Sequence, residues 1–430
     1  MPPDPTPLPS FSPRGNADRG SVRAHNLSRV LKLIHGAGSI SRAAIVRQTG
    51  LSATTVSALA NVLLRSGMIS EAGEGKSRGG RPPILLQFEY EHRHVLGIDI
   101  GASHINSILM DLKGIIVSQE TARFDSIGQP HRTIGLVHQH IRSLMATRSL
   151  TPAEILGMGV GVAAPLDGEK LDRVSDLIMP AWHDLDFIGD LREALQNPVY
   201  LDNDANLGAI AEKWWGSGRG VANLAYIKLG TGVGSGLIIN HEIYRGFGGT
   251  AGEIGHTTIN ADGPLCRCGN RGCMESYVGI PAILAEVVRR RRAQGNEDLK
   301  PQGIRIEDIV SAAGLDPICT EVVRTAGTQL GIAIANLLNL FNPELVLLGG
   351  DLVGAGDVLM DAVREAAAER AISKASREAT ITLSGLRDDV VAIGAATLAI
   401  HNAFQPSRIV WTLHPQGRKE VVLGTEGQLL

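Results

Sequence analysis

Between Gly246 and Tyr277 the chain gathers three of its four cysteines and a histidine into one glycine-rich stretch, GFGGTAGEIGHTTINADGPLCRCGNRGCMESY. His256 precedes Cys266, Cys268 and Cys273, with nine, one and four residues between successive members. One imidazole and three thiolates suit tetrahedral Zn²⁺, an ion without a geometric preference of its own that a closed nitrogen and sulfur shell satisfies. Gly263, Gly269 and Gly272 let the backbone turn tightly around such an ion. The competing reading, buried thiols or a disulfide pair, accounts less well for the crowding and the neighbouring imidazole. Cys319 stands alone and reads as a core thiol.

Glu253 lies just before His256 and Glu275 just after Cys273, so closing this loop around a metal brings two carboxylates close to one imidazole. A ligating histidine uses one ring nitrogen and leaves the other for a polyhydroxyl ligand. The full pattern, GGxxGExGH followed by CxCGxxGCxE, resembles the signature of the ROK family of sugar kinases and sugar-responsive repressors. That resemblance implies a zinc loop held by His256, Cys266, Cys268 and Cys273 that shapes a sugar site, with Glu253, His256 and Glu275 binding sugar hydroxyls. It also implies an α/β fold class: an N-terminal winged helix-turn-helix followed by a two-lobed body of the sugar kinase, actin and Hsp70 (ribonuclease H-like) type.

With 430 residues, 43% apolar and 20% charged, the chain has room for two or three domains with sizeable cores. Aromatic residues are only 4% against 51 glycines, which favours glycine-rich ligand loops over an aromatic platform for single strands. No apolar run reaches the roughly 20 residues a membrane span needs, and the proline-rich start lacks the basic and apolar segments of a signal peptide. A cytoplasmic location follows, and reduced thiols agree with it. Charge is unevenly placed: residues 1–83 hold eleven Lys or Arg against four Asp or Glu, a net of +7, which leaves about −10 for the remainder. A basic head on an acidic body points to a polyanion partner for the head alone.

Residues 1–20 have little to bury and read as a disordered tail. Beyond them Leu27, Val30, Leu31 and Ile34 recur at helical spacing, and Gly36 and Gly38 close that helix. Ser41 caps a second helix that Gly50 ends, and Ser52 caps a third running to about Ser66. Two helices joined by a short glycine turn read as a helix-turn-helix, whose second helix enters the major groove of DNA, the competing reading being an ordinary three-helix packing unit. Thr54, Thr55 and Ser57 are the expected base or phosphate contacts. A strand at Met68–Ser70, a basic loop and a returning strand ILLQF make a wing within a domain spanning 21–90. Arg78 and Arg81 in that loop are candidates for the narrow minor groove, Gly80-Arg81-Pro82 being either such a hook or a plain linker.

The body, 91–404, opens with HVLGIDIGASHINSILMDLKG, which resembles the first phosphate loop of the same fold. There Asp99 would help place Mg²⁺, with Gly101 and Ser103 facing phosphates. Ala102 and His104 depart from the Gly-Gly-Thr-Lys usual in ROK kinases, which puts ATP binding in question. NPVYLDNDANLGAIAEKWW places Asn203 and Asp204 at a strand end and a helix start, where they either cap the helix or contact a ligand. By resemblance Asp204 is the catalytic base of the kinases and Asn203 a sugar ligand. LGTGVGSG, with Gly230, Thr231, Gly232 and Gly234, resembles the second phosphate loop, and the family places adenosine near Gly349 and Gly350. Residues 405–430 form a C-terminal tail matching no motif. Together these features give a sugar-responsive transcriptional regulator acting as a homodimer or homotetramer. The alternative is an ATP-dependent hexose kinase using Mg²⁺ and ATP.

Overall fold

The computed structural model describes residues 19–76, 82–91, 93–167, 173–175, 179–182, 184–295, 298, 300, 303–372, 378–405, 409–413 and 419–423. The expected tail, 1–20, lies almost wholly outside this set, as do Arg78 and Arg81.

Helix α1 (Arg19–Ala37) turns Ala24, Leu27, Val30, Leu31 and Ile34 into a buried stripe. Each fully buried aliphatic side chain there contributes about 1.5–3 kcal/mol. In α2 (Arg42–Thr49) the Ser41 hydroxyl accepts the Ala44 N–H at 3.2 Å, and Gly50, at φ 70°, donates to the Val46 carbonyl to end the helix. In α3 (Ala53–Arg65) the Ser52 hydroxyl accepts the Thr55 N–H at 3.1 Å, while Val56, Leu59, Ala60, Val62 and Leu63 face the core. Strands β2 (Ile69–Glu74) and β3 (Ile84–Phe88) form the wing, and β1 (Ser39–Ser41) adds a third strand on the far side of β3. The sequence reading missed β1, because three residues show no periodicity. The wing strand also runs on past Ser70 to Glu74.

The body is two five-stranded sheets facing one cleft. The first has the order Val199–Asn203, β7 (Ile155–Val162), β4 (His94–Ile100), β5 (His104–Asp111), β6 (Ile116–Arg123). Its central strands are buried on both faces, with α4 (Pro130–Ala146) and α5 (Phe187–Leu195) among the elements supplying that cover. The second has the order Glu242–Ile243, Val233–Ile239, Leu224–Leu229, Leu345–Gly349, Thr380–Leu383. Helices Ile280–Arg292, Pro317–Phe341 and Asp357–Arg370 share a core with it.

A closing helix, Val390–Ala403, and α6 (Asp204–Trp214) tie the parts together. The closing helix lies so near the first sheet that a Cβ at Gly97 or Gly159 would collide with the backbone of Ala392 or Ala395. On its other side a Cβ at Gly394 would collide with the Leu207 carbonyl of α6. At its end the buried Ser28 hydroxyl of α1 donates to the Phe404 carbonyl at 2.7 Å, and the Phe404 ring meets Phe88 of the wing edge-on at 5.9 Å. The head is thus seated on the end of the closing helix. Beyond it, residues 409–413 and 419–423 pair as an antiparallel hairpin.

Candidate functional site: an inter-lobe cleft beside a Cys₃His cluster

The His256 ring nitrogens and the sulfurs of Cys266, Cys268 and Cys273 offer ligand atoms that all lie within 4.8 Å of one another. Cys266 Sγ is 3.7 Å from His256 Nδ1, and Cys268 Sγ is 3.7 Å from Cys273 Sγ. Zinc–sulfur bonds of about 2.3 Å in a tetrahedron place sulfurs about 3.8 Å apart, so the donor set and its spacing fit the ion. Local backbone structure creates this convergence. Gly272, at φ 67°, passes so close to the Asn260 carbonyl that any side chain there would collide with it. That crossing closes the loop on itself.

Of the cluster, His256 reaches the wall of an open cleft between the two sheets. Asn203, Asp204, Glu253, His256 and Glu275 all line it, as do Gly101, Ser103, Gly230, Thr231, Gly232 and Gly234. Residues that lie up to 174 positions apart in the chain therefore share one surface. Asp99 lies behind it, 1% exposed, and Gly349 and Gly350 are not among the lining residues. The structure gives both glycines a packing reason: a Cβ at Gly349 would collide with the buried Tyr226 hydroxyl, and one at Gly350 with the Leu229 carbonyl.

Asn203 caps α6, its Oδ1 accepting the N–H groups of Ala205 at 2.9 Å and Asn206 at 3.4 Å, while its Nδ2 donates to the Ala164 carbonyl at 3.1 Å. The cap thereby also fixes the Ala163–Pro165 segment of the cleft. Asp204 heads α6, where the helix dipole favours an anion. Burial, then the carboxylates of Asp204 and Glu275, push Glu253 up to about 7.

Two cations escaped the sequence reading. Lys228 Nζ donates to Asp204 Oδ2 at 2.8 Å, with side-chain exposures of 17% and 11%. Arg267 makes two hydrogen bonds to Glu275, from Nε at 2.7 Å and from Nη2 at 3.1 Å, while Glu275 Oε2 accepts the Val233 N–H at 2.9 Å. Both left a signal: Lys228 interrupts the apolar strand LAYIKL, and Arg267 stands between two cysteines of the cluster.

In the head, Thr54 is exposed at the start of α3 and Thr55 and Ser57 are half-buried. The Ser52 hydroxyl lies 2.9 Å from Thr54 Oγ1 and 2.8 Å from Thr55 Oγ1, so the three hydroxyls form one polar tip on the helix N-terminus.

The ROK family model matches residues 95–402. This chain belongs to the ROK family. It is 32% identical over 385 residues to the xylose repressor of Bacillus subtilis, covering 89% of this chain and 97% of the relative. A solved ROK family transcriptional regulator, a homologue of the Escherichia coli MLC protein, superposes with a TM-score of 0.73 at 26% identity, covering 88% of this chain and 96% of that one. A ROK glucokinase from Streptomyces griseus, solved with glucose and AMPPNP, gives 0.62 at 26% identity and covers 72% of this chain and 99% of that one. The alignment with regulators thus extends over the head, whereas the kinase is matched by the body alone. Among the described residues no helix is long and apolar enough to cross a membrane.

Proposed function

We propose that this chain is a sugar-responsive transcriptional repressor of carbohydrate genes, acting in the cytoplasm as a homodimer or homotetramer. The observation that carries the reading is the joining of a winged helix-turn-helix to a ROK sugar cleft through a buried seam. In this reading α3 enters the major groove with Thr54, Thr55 and Ser57 at the DNA, and two heads related by a dyad read an inverted repeat. Zinc on His256, Cys266, Cys268 and Cys273 holds the cleft wall. Asn203, Asp204, Glu253, His256 and Glu275 bind hydroxyls of a neutral aldose. Xylose is the first candidate, on the strength of the repressor relative.

The signal has a contiguous route. Ligand at Asn203 and Asp204 loads the N-terminus of α6; α6 packs backbone to backbone on the closing helix through Leu207 and Gly394; and the closing helix ends on Ser28 and Phe88 of the head. Linkage requires that a sugar lowering operator affinity binds the DNA-bound protein less well by the same factor. Mobility-shift titration of the zinc-loaded protein on its own promoter at fixed salt, with and without a sugar panel including xylose, tests the reading. Specific binding changed by one sugar supports it, and no specific binding with or without any sugar overturns it.

A further inference from the structure

The two carboxylates that would receive Mg²⁺ are already engaged with side chains of this chain. Mg²⁺ needs free carboxylate oxygens and near-octahedral geometry. Yet Asp99 Oδ2 is 3.1 Å from His104 Nε2, and its Oδ1 is buried without a partner. Asp204 Oδ2 accepts the Lys228 ammonium at 2.8 Å. One glycine in each turn is approached by a side chain: the His104 imidazole lies where a Cβ of Gly101 would be, and Arg267 Nη2 and Glu275 Oε2 crowd the Cβ position of Gly232. The first turn therefore holds an imidazole packed against Gly101, on the side that also bonds Asp99. The second presents a guanidinium already committed to Glu275.

We infer that Lys228 supplies, as a tethered ammonium, the positive charge that a divalent cation would bring to this cleft. Asp204 is thereby fixed as a hydrogen-bond acceptor for sugar, not as a proton acceptor, and the cleft takes sugar without nucleotide. The inference rests on the sugar-binding reading of the cleft. The charge pattern agrees: burial alone would lower the Lys228 pKa, but the carboxylates of Asp204 and Asp99 outweigh it and hold the ammonium protonated. Burial of Asp99 is likewise outweighed, first by Lys228 and then by His104, so its carboxyl stays below the usual range. A second cation entering this space would meet an ammonium already bonded to Asp204.

The test uses full-length zinc-loaded protein and Mn²⁺ as the probe, read by electron paramagnetic resonance. The soft Cys₃His set retains zinc against Mn²⁺, so uptake reports the cleft. Wild type and Lys228→Arg, which keeps the charge, are expected to leave Mn²⁺ free. Lys228→Thr, which frees Asp204, is expected to bind Mn²⁺ at least tenfold more tightly. Calorimetry with Mg²⁺-AMPPNP should show no binding to wild type at millimolar nucleotide. Operator binding by Lys228→Thr confirms that the variant is folded; if it is lost, Lys228→Met is used in its place under the same expectation. Equal Mn²⁺ affinity in wild type and in the folded charge-removing variant overturns the proposal. So does sugar phosphorylation by wild type that Asp204→Asn abolishes. Because the Mn²⁺ titration is run without sugar, absence of sugar binding in a separate calorimetric titration would refute the sugar reading and leave the metal result to be judged alone.

Discussion

Replacing Ser28 by alanine isolates the seam between head and body. The hydroxyl is 2% exposed and donates to the Phe404 carbonyl at 2.7 Å, so the variant removes the donor while the carbonyl at the helix end stays buried. Such a loss costs about 1–3 kcal/mol. The proposed route requires this contact to differ between the two states, so its loss comes out of the coupling free energy, which is typically about 1–3 kcal/mol in all. Removing about 1 kcal/mol shrinks the sugar-induced change in operator Kd about fivefold. Fluorescence anisotropy of a labelled operator at fixed salt, with and without saturating sugar, reads that ratio, and calorimetry reads sugar affinity in the absence of DNA. Sugar affinity is expected to stay within about twofold of wild type, the cleft being far along the route from Ser28. A thermal midpoint lowered as expected, together with an unchanged operator ratio, would refute the route, because the contact would have been lost without loss of signal.

Gly394→Ala drives a methyl into the Leu207 carbonyl and should cost about 1–3 kcal/mol by overpacking, seen as a lower thermal midpoint, and should weaken sugar binding by displacing α6. Cys268→Ser should reduce zinc measured by atomic emission to well below one ion per chain and lower sugar affinity; full zinc retention would refute the ligand assignment. Alanine at Thr54, Thr55 or Ser57 should weaken specific operator binding by about 1–3 kcal/mol while leaving nonspecific, salt-dependent DNA binding in place. His401 sits in the seam beside Leu31, Lys32, His35 and Trp214, and burial, then Lys32 and Arg245, lower its pKa from 6.5 to about 4. Between those values the unfolded chain binds the extra proton, so the contribution of His401 is complete above about pH 6.5 and lost as pH falls toward 4. That contribution is about 3 kcal/mol, and thermal midpoints measured from pH 7 down to 4 should fall less steeply in His401→Gln than in wild type.

Local features were the most legible part of this chain. Ser41, Gly50 and Ser52 cap and stop helices through bonds to residues within four positions, so the second and third helices of the head could be read from spacing alone. The Cys₃His cluster was legible for a similar reason, since its four residues fall within eighteen residues of sequence. Lys228 was not, because its meaning depends on Asp204, 24 residues away on another element, and a lysine in a strand ordinarily points to water. Gly349 and Gly350 carry a second constraint that the sequence did not show, each making room for Tyr226 or Leu229. The seam at Ser28 and Phe404 joins residues 376 positions apart, and no periodicity in either helix announces it.

The most direct test of the central claim is operator affinity of the zinc-loaded wild-type protein, measured by anisotropy at fixed salt with and without each sugar of a panel. Specific binding altered at least fivefold by one sugar, with the same factor appearing in the affinity of that sugar for the DNA-bound protein, is the predicted result. Specific operator binding that no sugar changes would contradict it.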